Sequence, residues 1–150
     1  IIANCSSGIE PLYGITYTRK ILDDVELRIV NPYFEEAARK NGFYSKKLID
    51  SIKAFGSIRE MPDVPDDVKR LFVTAHDIKP EGHVRMQAAF QRHTDNAVSK
   101  TVNFHEDAEK GDVEKVFLLA YRLGCKGVTV YRSGSRERQV LSCRNNVQYC

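Results

Sequence analysis

Four cysteines, at positions 5, 125, 143 and 150, are the residues of this 150-residue chain best suited to redox or metal chemistry. Structural zinc usually draws its thiolates from closely spaced pairs, and none of the four forms a Cys-x-x-Cys unit. Cys125 lies in a helix-to-strand turn and reads as a small core residue, and the same reading serves Cys5. Cys143 and Cys150 differ, because they close a polar stretch, Ser142-Cys143-Arg144-Asn145-Asn146-Val147-Gln148-Tyr149-Cys150, where packing gives them no purpose. At the other end Ser6, Ser7 and Gly8 sit in a turn-rich stretch. That composition suits either a phosphate-sized anion or a plain helix cap. The histidines, at 76, 83, 93 and 105, are not spaced as a metal site, and His105 reads as a loop residue.

The elements that would position these groups are α/β in character. Between Tyr13 and Val30, β-branched and aromatic residues predict two short strands, interrupted near Asp23 and Asp24. Asn31-Pro32 opens a helix with Phe34, Ala37 and Ala38 on one face, ending near Asn41-Gly42. Ser45 caps a second, carrying Leu48, Ile49, Ile52 and Phe55 before Gly56. A short helix bearing Val68, Leu71 and Phe72 follows two prolines. Pro80 leads into a fourth helix, with Val84, Ala88 and the row Met86, Ala89, Phe90 and His93.

From Val98 to Phe104 the pattern alternates. Val98, Val102 and Phe104 would face a helical layer, with Ser99, Thr101 and Asn103 on the opposite face. Small polar groups on an enclosed face line sites, although a water-facing edge strand shows the same pattern. A helix capped by Asp112 comes next. Its apolar stripe is Val113, Val116, Phe117, Ala120 and Leu123, widened by Leu119 and ended by Gly124. The run from Gly127 to Tyr131 is then a short strand. Strand, helix and strand within so short a span predict a βαβ unit with a buried parallel pair and a right-handed crossover.

Composition bounds the function. Apolar content of 42% and charged content of 29% describe an ordinary globular domain. With 23 basic and 20 acidic residues the net charge is only +3, too mild and too evenly spread to argue for nucleic-acid binding. No apolar run approaches the roughly 18 residues of a membrane span, and no signal peptide opens the chain, so a cytoplasmic protein is expected. The first residue is Ile1 and a motif begins almost at once, so the chain reads as a piece of something longer.

Three stretches in order carry a family resemblance: Ser6-Ser7-Gly8-Ile9-Glu10-Pro11 with Tyr17-Thr18-Arg19; His93 through Phe104; and Leu123 through Arg136. Together they resemble the large chains of ribonucleotide reductases over residues 1–141. The wording Val98-Ser99-Lys100-Thr101-Val102-Asn103 and Gly127-Val128-Thr129-Val130-Tyr131-Arg132 is closest to the adenosylcobalamin-dependent (class II) branch. Iron-dependent relatives pass a radical through two adjacent tyrosines on the final strand. Here that strand holds Tyr131 alone, which favours class II. His105 departs from the family, which commonly has proline there.

The resemblance implies the C-terminal portion of a ten-stranded α/β barrel, with several helices and a closing βαβ unit, over residues 1–141. Residues 142–150 would be a tail or linker. The activity implied is reduction of ribonucleotides to deoxyribonucleotides by thiyl-radical chemistry, with adenosylcobalamin as cofactor. A thioredoxin- or glutaredoxin-type reductant, the remainder of the reductase chain and a homodimer are the implied partners. Cys143 and Cys150 would be the tail redox pair, the alternatives being ordinary linker residues or, for Cys150, the first member of a zinc-type cysteine cluster. Ser6, Ser7 and Gly8 would lie near substrate, directly after a phosphate loop of Pro-Thr-Gly type upstream of Ile1. The radical cysteine cannot be placed, since no Asn-x-Cys-x-Glu loop exists and Ser7 stands where Asn4-Cys5 would need the glutamate. The alternatives are a truncated or split piece acting only by association with the missing barrel half, or a class I relative. The isolated chain is expected to show no ribonucleotide reduction with adenosylcobalamin and a dithiol; turnover by the pure 150-residue chain would overturn this reading.

Overall fold

A computed structural model describes residues 8–20, 26–135 and 141–142. Strands β1 (Thr16–Lys20) and β2 (Glu26–Val30) form an antiparallel hairpin, in the region where two strands are expected. A two-residue strand, β5 (Leu141–Ser142), adds to the other edge of β1.

Helices α1 (Pro32–Lys40), α2 (Lys46–Phe55) and α3 (Asp66–Leu71) follow. Their ends obey local chemistry. The Asn31 side chain accepts the amides of Tyr33 and Phe34, and Ser45 accepts that of Leu48. Gly56 ends α2 at φ 78°, a left-handed conformation that favours glycine. These helices and Ile15 enclose the first core, in which Phe34 is fully buried and meets Phe72 edge to face at 5.4 Å between centroids. Two expected core residues lie outside it. Phe55 is 65% exposed and Leu71 is 73% exposed, because each sits at the last position of its helix, turned past the buried face.

The second core is the predicted βαβ unit. Strand β3 (Thr101–Phe104), helix α5 (Lys110–Arg122) and strand β4 (Thr129–Arg132) run in sequence. β3 and β4 pair in parallel, with Val102 opposite Val130 and Asn103 opposite Tyr131. Helix α4 (Pro80–Gln91) and α5 cover one face, burying Val84, Val102, Phe104, Val116 and Ala120. Phe117 departs from the expected stripe at 48% exposure. Asp112 is not the cap either: Glu109 is the N-cap, and Asp112 is its capping-box partner three residues on. Gly124 ends the helix region at φ 75° as expected. The hairpin strands stay in their own sheet rather than joining β3 and β4.

The first core sets a direct comparison of two phenylalanines. In the intact protein Phe34→Ala should cost about 3–5 kcal/mol of unfolding free energy, while Phe55→Ala should stay within about 0.5 kcal/mol. Denaturant titration checks both; equal losses would mean that the first core is wrongly drawn.

Candidate functional site

The stretch from Gly8 to Leu12 is pinned on both sides. Gly8 adopts φ 56°, and an added Cβ would meet nothing within 4 Å, so the backbone conformation rather than crowding asks for glycine. Leu12 makes an isolated parallel bridge to Thr74, and its carbonyl accepts the Ala75 amide at 2.7 Å. Between them Glu10 reaches β3. One carboxylate oxygen accepts the Thr101 amide at 2.6 Å, and the other accepts Lys100 Nζ at 2.6 Å. Lys100, at 2% exposure, also donates to the Thr101 carbonyl at 3.1 Å.

Register and pleat sort the β3–β4 pair into two faces. Val102 and Val130 face α4 and α5, so Thr101, Asn103, Thr129 and Tyr131 share the other face. These four side chains are uncharged; Thr101, Asn103 and Tyr131 are half-buried and Thr129 is exposed. Beyond the C-terminal end of β3, the His105 ring packs against His76 at 5.1 Å and donates through Nε2 to the His76 carbonyl at 3.1 Å. Tyr13 meets His76 edge-on at 5.9 Å. Its hydroxyl is pushed up to about 12, chiefly by burial and secondarily by Tyr131. The sequence singled out only Tyr131; the fold brings Tyr13 into its electrostatic reach.

A cleft of about 530 Å³ opens beside these histidines, with Ser57, Arg59, His76, Asp77 and His105 among its lining residues. Glu60 and Asp63 line it too, and the Asp77 carboxylate is already committed. Asp77 accepts Ser57 Oγ, the Thr74 amide and Thr74 Oγ1, each at 2.8 Å. Arg59 donates to the Asp77 carbonyl at 2.6 Å. The group is a brace for the turn rather than a free acid or base.

Helix α4 presents a buried polar row that the hydrophobic pattern did not reveal: His83, Gln87 and Gln91, spaced four apart. Gln87 Nε2 donates to the carbonyls of Val98 and Gly127, and Gln91 Nε2 to those of Thr94 and Asn96. Gln91 Oε1 accepts the amides of Val98 and Lys126. The row thereby holds the loops that enter both parallel strands. Met86 and Phe90, expected along the helix's apolar row, are about half exposed instead. Three neutral polar residues at i, i+4 and i+8 were the available signal.

His83 Nε2 faces the Ala75 carbonyl at 3.0 Å, so that nitrogen carries the proton. Burial holds the ring below its usual pKa, with the Lys100 ammonium adding to the effect; the Ala75 carbonyl and Glu10 oppose it.

Of the residues singled out for chemistry, Gly8 is exposed at the start of the pinned stretch. Cys5, Ser6, Ser7, Cys143 and Cys150 lie outside the described residues. Cys125 is half-buried against the second core as expected, and burial raises its thiol pKa. Among the described residues no three His, Cys, Asp or Glu gather as a metal site, and no helix is long and apolar enough to cross a membrane.

A parallel strand pair with helices on one face and an uncharged, partly open second face fits a wall segment of an α/β barrel. The chain belongs to the family described as ribonucleotide reductase, barrel domain, which matches residues 1–131. It is 45% identical over 142 residues to the Vitamin B12-dependent ribonucleoside-diphosphate reductase of Thermoplasma acidophilum, covering 95% of this chain and 18% of that protein. It is 47% identical to the Mycobacterium tuberculosis protein of the same name, covering 95% of this chain and 20% of the relative. The chain thus spans about a fifth of these relatives' length. The solved alpha subunit of an Actinobacillus ureae class Id ribonucleotide reductase shares the fold, with a TM-score of 0.67 at 21% identity, over 83% of this chain and 22% of that one.

The neutral His83 ring gives a pH test. Its folded pKa is depressed, so its contribution is complete above the unfolded value of about 6.5 and is lost as pH falls through that value toward the folded one. His83→Gln retains a donor for Ala75 without a titrating ring. Between about pH 7.5 and about pH 5.5 the wild-type Tm should therefore fall further than the variant's. Parallel Tm profiles would show that His83 does not titrate between these states.

Proposed function

We propose that this chain forms the closing part of the catalytic barrel of an adenosylcobalamin-dependent ribonucleotide reductase. The observation that carries the reading is the 45–47% identity, across 95% of the chain, with reductases named as vitamin B12-dependent. The full protein would act on a ribonucleoside di- or triphosphate in the cytoplasm, as a homodimer.

When bound, adenosylcobalamin would supply the radical that converts a cysteine of the missing loop to a thiyl. The described residues include no cradle that identifies where the cofactor sits. This chain's own part is enclosure. Thr101, Asn103, Thr129 and Tyr131 form an uncharged wall, which suits a site that must exclude water and hold a reactive intermediate. In the overall reaction the substrate gains two electrons from a cysteine pair, its 2′ hydroxyl leaves as water, and the pair becomes a disulfide.

Residues 1–141 would belong to the barrel and 142–150 to a tail. On this reading Ser6, Ser7 and Gly8 lie close to substrate. Cys143 and Cys150 would re-reduce the active-site disulfide by thiol exchange and be restored by a thioredoxin- or glutaredoxin-type protein.

The full-length reductase should convert ribonucleotides to deoxyribonucleotides only with adenosylcobalamin present; cobalamin-independent turnover would refute the assignment. The variant Cys143→Ser/Cys150→Ser separates the tail's role. Its turnover should fall at least about ten-fold with thioredoxin as reductant and change little with dithiothreitol, which reaches the active-site disulfide directly. Unchanged turnover with thioredoxin would remove the pair from the redox path.

A further inference from the structure

The cleft beside the histidines does not end at Arg59. A smaller recess of about 330 Å³ adjoins it, and Arg59 and Asp77 line both. The two ends differ in chemistry. On the cleft side Phe55 is 65% exposed, with Leu48, Met61 and Pro62 as further apolar lining. On the other side the recess gathers three cations, Arg59, Lys69 and Arg70. Its carboxylates leave them largely unopposed. Asp77 is committed to Ser57 and Thr74, and Asp66 makes a 3.6 Å contact with Lys69 from a side chain that is 87% exposed. Arg59 is held where the cavities meet. Its amide donates to Ser57 Oγ at 3.1 Å and its guanidinium to the Asp77 carbonyl at 2.6 Å, so further N–H groups of the fork remain for a ligand.

We propose that the joined cleft binds a nucleoside polyphosphate, with its base on Phe55 and its phosphates on Arg59, Lys69 and Arg70. Every nucleobase offers a face for an aromatic ring, and a fixed guanidinium matches phosphate oxygens in pairs. Glu60 and Asp63 line the aromatic end, are exposed, and form no ion pair among the described residues, so they can accept ribose hydroxyls. Lys47 lines the same end and offsets part of their charge. The volume of about 530 Å³ on the base side falls within the roughly 300–1,000 Å³ of small-molecule sites. The location agrees as well. His105, which lines the cleft, directly follows β3, and ligands of parallel α/β sheets bind beyond the carboxyl ends of the strands.

The test uses the full-length protein and the photoreactive probe 8-azido-ATP. Turnover does not enter it, because the site is read from its lining and not from the reductase assignment. One labelled peptide should fall between Ser45 and Asp77, and ATP should compete for that label at least about ten-fold better than inorganic triphosphate or adenosine. Phe55→Ala, which should leave the fold intact, should reduce this label on the order of ten-fold by removing the stacking face. Arg70→Gln, also at an exposed position, should raise the ATP concentration needed for competition by a similar factor with Tm little changed. If either variant fails to fold, the wild-type label and its competition decide alone. Absence of label between Ser45 and Asp77 would overturn the proposal. So would inorganic triphosphate competing as well as ATP, or labelling indifferent to both folded variants.

Discussion

An ammonium group withdrawn from water must be answered by a negative charge, and in this chain the answer comes from the other end of the sequence. Lys100 stands at the entrance to β3 and Glu10 in the stretch after Gly8, and their contact ties the first core's N-terminal approach to the second core's parallel strands. Such a pair is weak evidence for net stability, because desolvation cancels much of the attraction. Its value is specificity: a register in which Glu10 misses Thr101 leaves the buried Lys100 cation with only the Thr101 carbonyl, and the Thr101 amide without its carboxylate acceptor. The start of the parallel pair is tied to that contact. β3 starts where the carboxylate takes the Thr101 amide, and β4 pairs with it residue for residue.

A second layer of polar groups supports the same strands from behind. Gln87 and Gln91 take hold of the loops before β3 and β4, which a purely apolar helix face could pack against but could not orient. His83 sits at the head of that row, and burial, with the Lys100 ammonium adding to it, holds its ring below the usual pKa. The strand entrances are therefore fixed by directional bonds, while their exits, near His76, His105 and Tyr13, are gathered by ring contacts. In barrels the strand exits are where chemistry collects, so rigid entrances leave the exits to be shaped by loops.

Much of this was legible from local pattern. Asn31, Ser45 and Gly56 marked helix ends because capping is decided by immediate neighbours. The βαβ unit was legible because alternation and helical spacing survive in a single short window. What escaped depends on distant partners. Lys100 reads as an ordinary surface charge until Glu10 is placed beside it, and a Gln pair reads as solvent-facing until two loops cross it. The exposed Phe117 and Met86 escaped for the converse reason: hydrophobicity alone does not say how wide a buried stripe is. Of the chemistry, only the neutral face of β3 was visible as alternation. The cysteines and serines singled out for roles fall outside the described residues.

The dependence of the fold on the carboxylate at Thr101 can be read at a single atom. Native-state hydrogen exchange of the full-length protein should find the Thr101 amide as slow as the amides within β3, and Glu10→Ala should release it while those of α1 and α2 stay protected. A Thr101 amide that exchanges at loop rates in the wild-type protein, or is indifferent to the loss of Glu10, would contradict the account.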